Sequence, residues 1–280
     1  MYSSKKYKVM KNIRLISMAI IAFVTVSLTG QEKSINLFSV PLSNPGNPGK
    51  LVIDQISGSI HVEGYEGAEV VIKASFGSNK VHFKDDDQRD GLKRVKSSSL
   101  NIGAEEKNNV VHVINEQWNK VTNLDVKVPK NFSLKLSTVN DGNISVKGVN
   151  GEMEISNVNG KITLESVSGS ASTDTVNGDI KVYFDSITKD ANMAFSSLNG
   201  NVDITFPSSL KANIKAKSDM GDIFTDFDMQ VSSNKPEVNK NNGSGTYKVK
   251  IEQWVRGTIN GGGPEMLFKT FNGDILIKSK

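Results

Sequence analysis

Glycine recurs at a fixed interval in the middle of this 280-residue chain, and the interval restricts the folds that the chain can adopt. Five glycines between residues 142 and 178 are spaced by nine residues. Gly151, Gly160 and Gly178 lie in a phrase of the form apolar, Asn, Gly, any, apolar, any, apolar, as in residues 158–164. Variants of the phrase surround Gly142 and Gly169. Because strand side chains alternate between two faces and Asn-Gly favours sharp turns, each unit predicts one short strand and one tight turn.

The same phrase returns towards the C-terminus, so the repeat organises most of the chain. The intervals of 22 residues from Gly178 to Gly200, and of 21 from Gly200 to Gly221, predict successive coils that each carry an added loop. A weaker copy surrounds Gly58. The predicted structural turn residues are Gly142, Gly151, Gly160, Gly169, Gly178, Gly200, Gly221 and Gly273.

Two all-β architectures fit this pattern. In a solenoid, two nine-residue units would form one coil of about 18 residues. In a β-meander, each Asn-Gly would close a two-residue hairpin. We favour the solenoid, a stack of short strands with units of about nine residues. Its core would contain Met153, Ile155, Ile162, Leu164, Ile180 and Val182, while Glu154, Thr163 and Lys181 would face water.

The N-terminus has the three parts of a secretory signal. Residues 1–30 contain five basic residues and no acidic ones, and an uncharged, mostly apolar run extends from Leu15 to Leu28. That run is shorter than the roughly 20 residues that a membrane-spanning helix needs. We therefore predict a signal peptide over residues 1–30, cleaved before Gln31, and export to the periplasm or cell surface. An uncleaved segment would be the chain's contact with a membrane.

The remaining chain has almost no net charge. Residues 31–280 contain 29 basic and 30 acidic residues, so they have no basic excess with which to bind nucleic acid. The absence of cysteine excludes disulfides, thiolate metal sites and a cysteine nucleophile. We divide the exported part into N-terminal strands or a cap of the stack, residues 31–120, and a repetitive solenoid, residues 121–280. Residues 84–96 and 231–245 are predicted surface loops.

No arrangement of residues predicts catalysis, a cofactor or a metal. His61, His82 and His112 lie in strand-like alternation without the paired spacing of a zinc site. Asp203 and Asp222 are the pair considered for an enzyme acting on polysaccharides. Acidic residues also follow several turn glycines, as in glycine–aspartate repeats that bind calcium, but Lys161 occupies the equivalent position and interrupts the row. Those acidic residues are Glu152, Asp179, Asp222 and Asp274.

Two further sets of side chains have structural interpretations. Trp118 and Trp254 each follow Glu-Gln and are expected to cover an edge or end of the stack. The repeated asparagines are expected to form a ladder along one edge, which is first a structural device. These are Asn150, Asn159, Asn177, Asn199 and Asn272.

A recurrent order of strands connects these observations to a known family. The run 124–129 ends in Pro129 and is followed by residues 133–144, which end on Asn-Asp-Gly-Asn-Ile. A similar order recurs at 202–223 and at 257–277. This pattern resembles the bacterial domain-of-unknown-function family that bears the label "putative adhesin" and has the toast-rack fold. The resemblance covers roughly residues 50–280 and implies a right-handed β-solenoid outside the cytoplasm. It implies no reaction.

We therefore predict an exported, non-enzymatic protein of the cell envelope. Its repetitive surface would bind or support an envelope protein or a glycan, and no binding residues are assigned. An envelope-stress sensor or scaffold is the alternative, and a polysaccharide-acting β-helix enzyme is the second alternative.

Overall fold

The computed structural model describes residues 36–76, 101–116, 120–232, 237–241, 248–252 and 254–280. Within these ranges every regular element is a β-strand, and no helix is long and apolar enough to cross a membrane. The predicted signal peptide, the loop at 84–96, His82 and Trp118 lie outside the described residues.

The described residues form 22 strands. In chain order they are β1 (Asn36–Pro41), β2 (Gly49–Ser57), β3 (Ile60–Tyr65), β4 (Glu69–Phe76), β5 (Ile102–Lys107), β6 (Val110–Asn115), β7 (Thr122–Pro129), β8 (Phe132–Asn140), β9 (Ile144–Lys147), β10 (Asn150–Asn159), β11 (Ile162–Asn177), β12 (Ile180–Ile187), β13 (Met193–Asn199), β14 (Val202–Phe206), β15 (Ala212–Ser218), β16 (Ile223–Thr225), β17 (Met229–Val231), β18 (Glu237–Asn241), β19 (Lys248–Glu252), β20 (Val255–Ile259), β21 (Glu265–Asn272) and β22 (Ile275–Ser279).

Twenty of these strands make one continuous sheet that is folded into two facing layers. Layer one has the order β5-β6-β2-β8-β10-β11-β13-β21-β15-β20-β17, and layer two has the order β1-β4-β7-β3-β9-β11-β12-β14-β22-β16. Strand β11 is shared, since residues 162–167 pair in layer two, residues 170–177 pair in layer one, and Ser168 and Gly169 pair in both. Strands β18 and β19 form a separate hairpin, and β18 falls within the predicted loop at 231–245, so that prediction is wrong for residues 237–241.

Each coil of the stack, here called a rung, supplies one strand to each layer. Within the stack neighbouring rungs pair in parallel, and antiparallel strands close both ends. In stacking order the rungs are rung 1 (β6, β7), rung 2 (β2, β3), rung 3 (β8, β9), rung 4 (β10 and the start of β11), rung 5 (the rest of β11 and β12), rung 6 (β13, β14), rung 7 (β21, β22) and rung 8 (β15, β16).

The register confirms the solenoid and rules out the meander. Met153 on β10 lies beside Ala171 on β11, 18 residues later, and the two strands are parallel. A two-residue hairpin requires antiparallel partners. Two nine-residue units therefore make one rung, and the residues predicted to form the core are fully buried in it.

The rungs do not stack in the order of the sequence. Rung 7, residues 265–279, lies between rung 6 and rung 8, which comes from residues 212–225. At the other end, rung 2 lies between rung 1 and rung 3, although rung 1 comes from residues 110–129. The prediction that Gly200 and Gly221 belong to successive coils is therefore wrong.

Phenylalanines from both layers fill the core at the rung 8 end. Phe195 stacks on Phe268 at 5.4 Å within layer one, and Phe184 stacks on Phe206 at 5.3 Å within layer two. Edge-to-face contacts of 6.2–6.4 Å between the pairs join the two layers. Since aromatic pairs prefer these geometries, the rings fix how the two layers pack against each other here.

Candidate interaction surface

The predicted turn glycines lie at two opposite corners of the stack. Six of them form one column with Gly58, which we call the Asn-Gly corner: Gly142, Gly160, Gly178, Gly200, Gly273 and Gly221. Gly151 and Gly169 lie at the other corner, beside Phe132. A Cβ on Gly178 would lie 2.1 Å from the carbonyl oxygen of Gly160. Close approach of successive backbones, rather than a positive φ, therefore requires glycine at this position.

Three rows of hydrogen bonds run along the Asn-Gly corner. In the first, Asn159 Nδ2 donates to Asn140 Oδ1 at 2.8 Å, Asn177 to Asn159 at 2.8 Å, and Asn199 to Asn177 at 2.9 Å. Asn272 continues this register, being paired with Asn199. Asn150 instead donates to Asn131 at the other corner. The predicted ladder therefore includes Asn140 and excludes Asn150.

The second row satisfies the carbonyl groups of the glycine column. Thr175 Oγ1 donates to Gly160 O at 3.1 Å, Ser197 Oγ to Gly178 O at 2.9 Å, and Thr270 Oγ1 to Gly200 O at 2.9 Å. These hydroxyl side chains are buried and precede the ladder asparagines by two residues. Because buried carbonyl groups need hydrogen-bond donors, these hydroxyl groups have a structural role at the corner.

The third row contains the residues that follow the turn glycines, where a calcium row was considered. Asp179 Oδ1 accepts from the Asn201 N–H at 3.0 Å, and Asp274 Oδ1 accepts from the Asp222 N–H at 2.9 Å. Lys161 Nζ lies 3.1 Å from Asp179 Oδ2. The hydrogen bond from Asn201 lowers the pKa of the Asp179 carboxyl; partial burial opposes this, and Lys161 adds to it. The carboxylates of Asp179 and Asp274 thus accept hydrogen bonds from backbone N–H groups. Glu152 follows Gly151 and lies at the other corner.

The other residues considered for chemistry lie apart. His61 on β3 and His112 on β6 are exposed and belong to different layers. Asp203 on rung 6 pairs with Lys278 at 2.8 Å. From strand spacing, its Cα lies about 12 Å from that of Asp222, which is on rung 8. Among the described residues, no three His, Asp or Glu side chains group as metal ligands.

A row of apolar side chains crosses the outer face of layer one. Its members each precede the Asn position of the repeat and stand in register on consecutive rungs, from rung 2 to rung 7: Ile56, Val139, Val158, Val176, Leu198 and Phe271. The largest three are about half exposed, with Ile56 at 51%, Leu198 at 47% and Phe271 at 46%. At about 4.8 Å per rung the row is about 24 Å long. We call it the apolar row.

In the sequence these residues stand out only as the first apolar position of the repeat. The signal lay in their neighbours, because Ser197 turns inward to the glycine column and Leu198, the next residue of the strand, must turn outward. The same alternation applies to Thr270 and Phe271. The row ends on rung 8, where Asp219 replaces the apolar residue.

A shallow pocket of about 470 Å³ adjoins the rung 7 end of the apolar row. Leu198 and Phe271 form its apolar side, and Asp174, Lys217 and Lys269 contribute charges. Lys217 Nζ lies 3.1 Å from Asp219 Oδ1 and 5.9 Å from the centre of the Trp254 ring, while Lys215 Nζ lies 4.6 Å from that ring. Trp254 is therefore half-buried under two lysine side chains at the rung 8 end of the face. This position agrees with the expectation that Trp254 covers an end of the stack.

The outer face of layer two is more polar. Its pocket of about 370 Å³ is lined by Glu165, Tyr183, Asp185 and Lys280 among others. Lys280 Nζ lies 2.6 Å from Asp185 Oδ1. A hydrogen bond and a charge interaction with Tyr183 raise the pKa of Lys181. These charged groups pair with one another within the face. We therefore take the apolar row of layer one as the candidate interaction surface.

Residues 138–260 match the sequence profile of the family described as Toastrack DUF4097, which confirms the family resemblance over that range. The matched range ends before rung 7 begins. No curated protein matches the chain significantly in sequence.

Solved structures similar to this chain include three bacterial proteins. "A putative cell adhesion protein" from Clostridium sporogenes ATCC 15579 has 15% identity and a TM-score of 0.42, with coverage of 89% of this chain and 100% of its own. "A putative adhesin" from Bacteroides fragilis NCTC 9343 has 9% identity and a TM-score of 0.33, covering 89% and 98%. "A putative adhesin" from Parabacteroides merdae ATCC 43184 has 10% identity and a TM-score of 0.29, covering 88% and 96%.

Proposed function

We propose that this chain, whose residues 138–260 match the Toastrack DUF4097 family, is an exported, non-enzymatic protein that binds or supports another component of the cell envelope. The observation that carries the proposal is the apolar row. Monomeric proteins rarely expose long, contiguous apolar surfaces with a polar rim unless a partner covers them. Here the repeat itself produces such a surface, because one apolar residue per rung is turned to solvent.

Export is supported by the sequence of residues 1–30. The basic residues up to Arg14, the apolar run Leu15–Leu28 and the small residues before Gln31 are the features of a signal peptide. The exported part is nearly neutral, which favours a protein or glycan partner over a nucleic acid. We assign the partner to the cell envelope, in the periplasm or at the cell surface.

The binding role is tested with two matched variants and isolated cell envelopes. Phe271→Asp places a charge in the apolar row, and Phe224→Asp places the same charge on β16 in layer two, where Phe224 is 52% exposed. Because an unpaired charge within an apolar contact is costly, Phe271→Asp should reduce the envelope-bound fraction about tenfold or more. Phe224→Asp should bind as the wild type does. Equal binding by all three proteins would refute the assignment of this face.

The class of partner is tested on the same envelopes. Treating them with a protease before the protein is added removes a protein partner, whereas digestion of their glycans removes a glycan partner. Loss of binding after one treatment assigns the partner to that class. A polysaccharide-acting enzyme, the second alternative, predicts instead that envelope glycans are cleaved by the purified protein and spared after one carboxylate is replaced by its amide.

An envelope sensor or scaffold is the first alternative, and the uncharged run Leu15–Leu28 is the feature that favours it. If that run is retained, it would tether the chain to a membrane. Protease treatment of intact cells, with the N-terminus read by mass spectrometry, separates these roles. A chain beginning near Gln31 and cut on intact cells supports an external binding role, whereas retention of residues 1–30 supports the tethered sensor.

A further inference from the structure

Charges on the outer face of layer one are distributed unevenly along the stack. On rung 2, β2 carries Lys50 and Asp54 at two positions of its outer face, and on rung 7, β21 carries Glu265 and Lys269 at the equivalent two positions. The sign of the charge at each position is therefore reversed between the two rungs. Between these rungs the strand position beside the apolar row holds serines and Asp174.

We propose that the outer face of layer one binds a second copy of this chain, through a two-fold axis parallel to the strands and passing between β10 and β11. This inference rests on the proposed function, because it assigns the occupant of the same apolar face. A two-fold contact is self-complementary, so a face used in this way must match its own reversed image. The apolar row meets that condition, and so does the row two residues earlier on each strand, which contains Asp54 and Lys269.

The apolar row pairs with its reversed copy by size. Rotation about the axis brings Val158 opposite Val176 of the second copy, Val139 opposite its Leu198, and Ile56 opposite its Phe271. The larger side chains at the two ends therefore meet one another, and the valines meet in the centre. In the row four residues earlier on each strand, Val52 lies opposite Leu267 of the second copy, Lys135 opposite its Ala194 and Glu154 opposite its Ser172. Lys135 and Glu154 keep their own ion pair at 2.7 Å within each copy.

The charges of rungs 2 to 7 are also complementary in this arrangement. Asp54 lies opposite Lys269 of the second copy, and Lys50 lies opposite its Glu265. Each pair occurs twice because of the symmetry. Asp174 lies opposite Ser156, and no two like charges on rungs 2 to 7 face each other. Such complementarity selects one orientation over others.

The other two-fold arrangement, with its axis along the stack, is disfavoured by the same charges. With the axis along the apolar row, equivalent rungs would face one another, and Asp54 and Lys269 would each lie opposite the Asn-Gly corner instead of an opposite charge. That arrangement lacks the ion pairs that the antiparallel one makes. We therefore assign the antiparallel arrangement, in which the two stacks run in opposite directions.

Analytical ultracentrifugation of the exported chain, purified from cells with its N-terminus verified, tests the inference. The wild type should show a monomer–dimer equilibrium. Phe271→Asp and Leu198→Asp should each weaken dimerisation about tenfold or more, while Phe224→Asp should not. Thermal unfolding of each variant checks that the fold is retained.

Charge exchange tests the orientation. Asp54→Lys and Lys269→Asp should each weaken the dimer, and the double variant should restore it because the opposite charges are re-formed. A wild type that stays monomeric, or a double variant that is weaker than both single variants, would overturn the inference.

The same proteins distinguish this inference from the proposed function. A monomeric protein that still binds isolated envelopes, and loses this binding with Phe271→Asp, would overturn the dimer and leave the proposed function standing. A dimer that fails to bind envelopes would support the second copy and count against a further envelope partner.

Discussion

The backbone N–H of Asp222 donates to Oδ1 of Asp274 at 2.9 Å, although Asp274 comes 52 residues later in the chain. The bond joins rung 8 to rung 7, which is made by the last residues of the sequence. Rung 8 therefore rests on a rung that is synthesised after it. Its apolar inner side, with Ile214 and Ala216, is completed only when the C-terminal strands enter the stack.

The inserted rung should be essential for the stability of the rung 8 end. Phe268 is fully buried and contacts Phe195 and Phe206, so Phe268→Ala should lower the free energy of unfolding by about 3–5 kcal/mol. Phe271→Ala, three residues away and 46% exposed, is the matched control and should cost much less. Urea unfolding measures both variants. Similar losses for the two would contradict the position of rung 7 in the core.

The glycine column should tolerate no side chain. Gly178→Ala places a Cβ 2.1 Å from the Gly160 carbonyl oxygen, so neighbouring rungs must separate, at a cost of about 1–3 kcal/mol or more. Gly103→Ala, where no atom lies within 4 Å of the added Cβ, should leave stability nearly unchanged. Thermal unfolding of the two variants tests the prediction, which fails if Gly178→Ala is as stable as Gly103→Ala.

The asparagine ladder should contribute to stability in proportion to the bonds that each member makes. Asn177 donates to Asn159 and accepts from Asn199, so Asn177→Ala removes two side-chain bonds and should cost about 1–2 kcal/mol. Asn150→Ala removes the donation to Asn131 at the other corner and should cost about half as much. Chemical denaturation compares them, and an Asn177→Ala variant that matches the wild type would show that the ladder adds nothing.

The Asp179 carboxylate should make stability depend on pH in the acid range. Its pKa in the folded protein is lowered, mainly by the hydrogen bond from Asn201, from an ordinary value of 3.8. It therefore stabilises the fold above that value, and this contribution is lost as the pH falls through the lower, folded pKa. Asp179→Asn keeps an oxygen that can accept the Asn201 N–H but removes the charge.

The wild type should consequently exceed Asp179→Asn in unfolding free energy near neutral pH, and the difference should shrink below about pH 3.8. Urea unfolding at several pH values measures this difference. A difference that stays constant from neutral pH into the acid range would contradict the role of the charge.

Local sequence patterns were sufficient to predict the strands and their buried faces. Ile162 and Leu164 alternate with Thr163, and this alternation identifies the inner side of the strand wherever it is paired. The Asn ladder was predicted in part, since Asn159, Asn177 and Asn199 occupy equivalent places in the repeat. Gly178 was expected for its freedom in a tight turn, but the structure requires glycine there because its backbone lies against the Gly160 carbonyl group. Local sequence does not show which backbones are neighbours.

The nine-residue period by itself determined that this chain forms short strands joined by tight turns, because spacing and alternation act within a few residues. The parallel register in the structure decided that two units make one coil. Only the tertiary structure decided which coils are neighbours. Strand 265–272 pairs on one side with strand 193–199 and on the other with strand 212–218, and Phe268 is fully buried between them against Phe195. The same stacking aligned Ile56 with Phe271 in one row, because register between distant segments is set by their shared core.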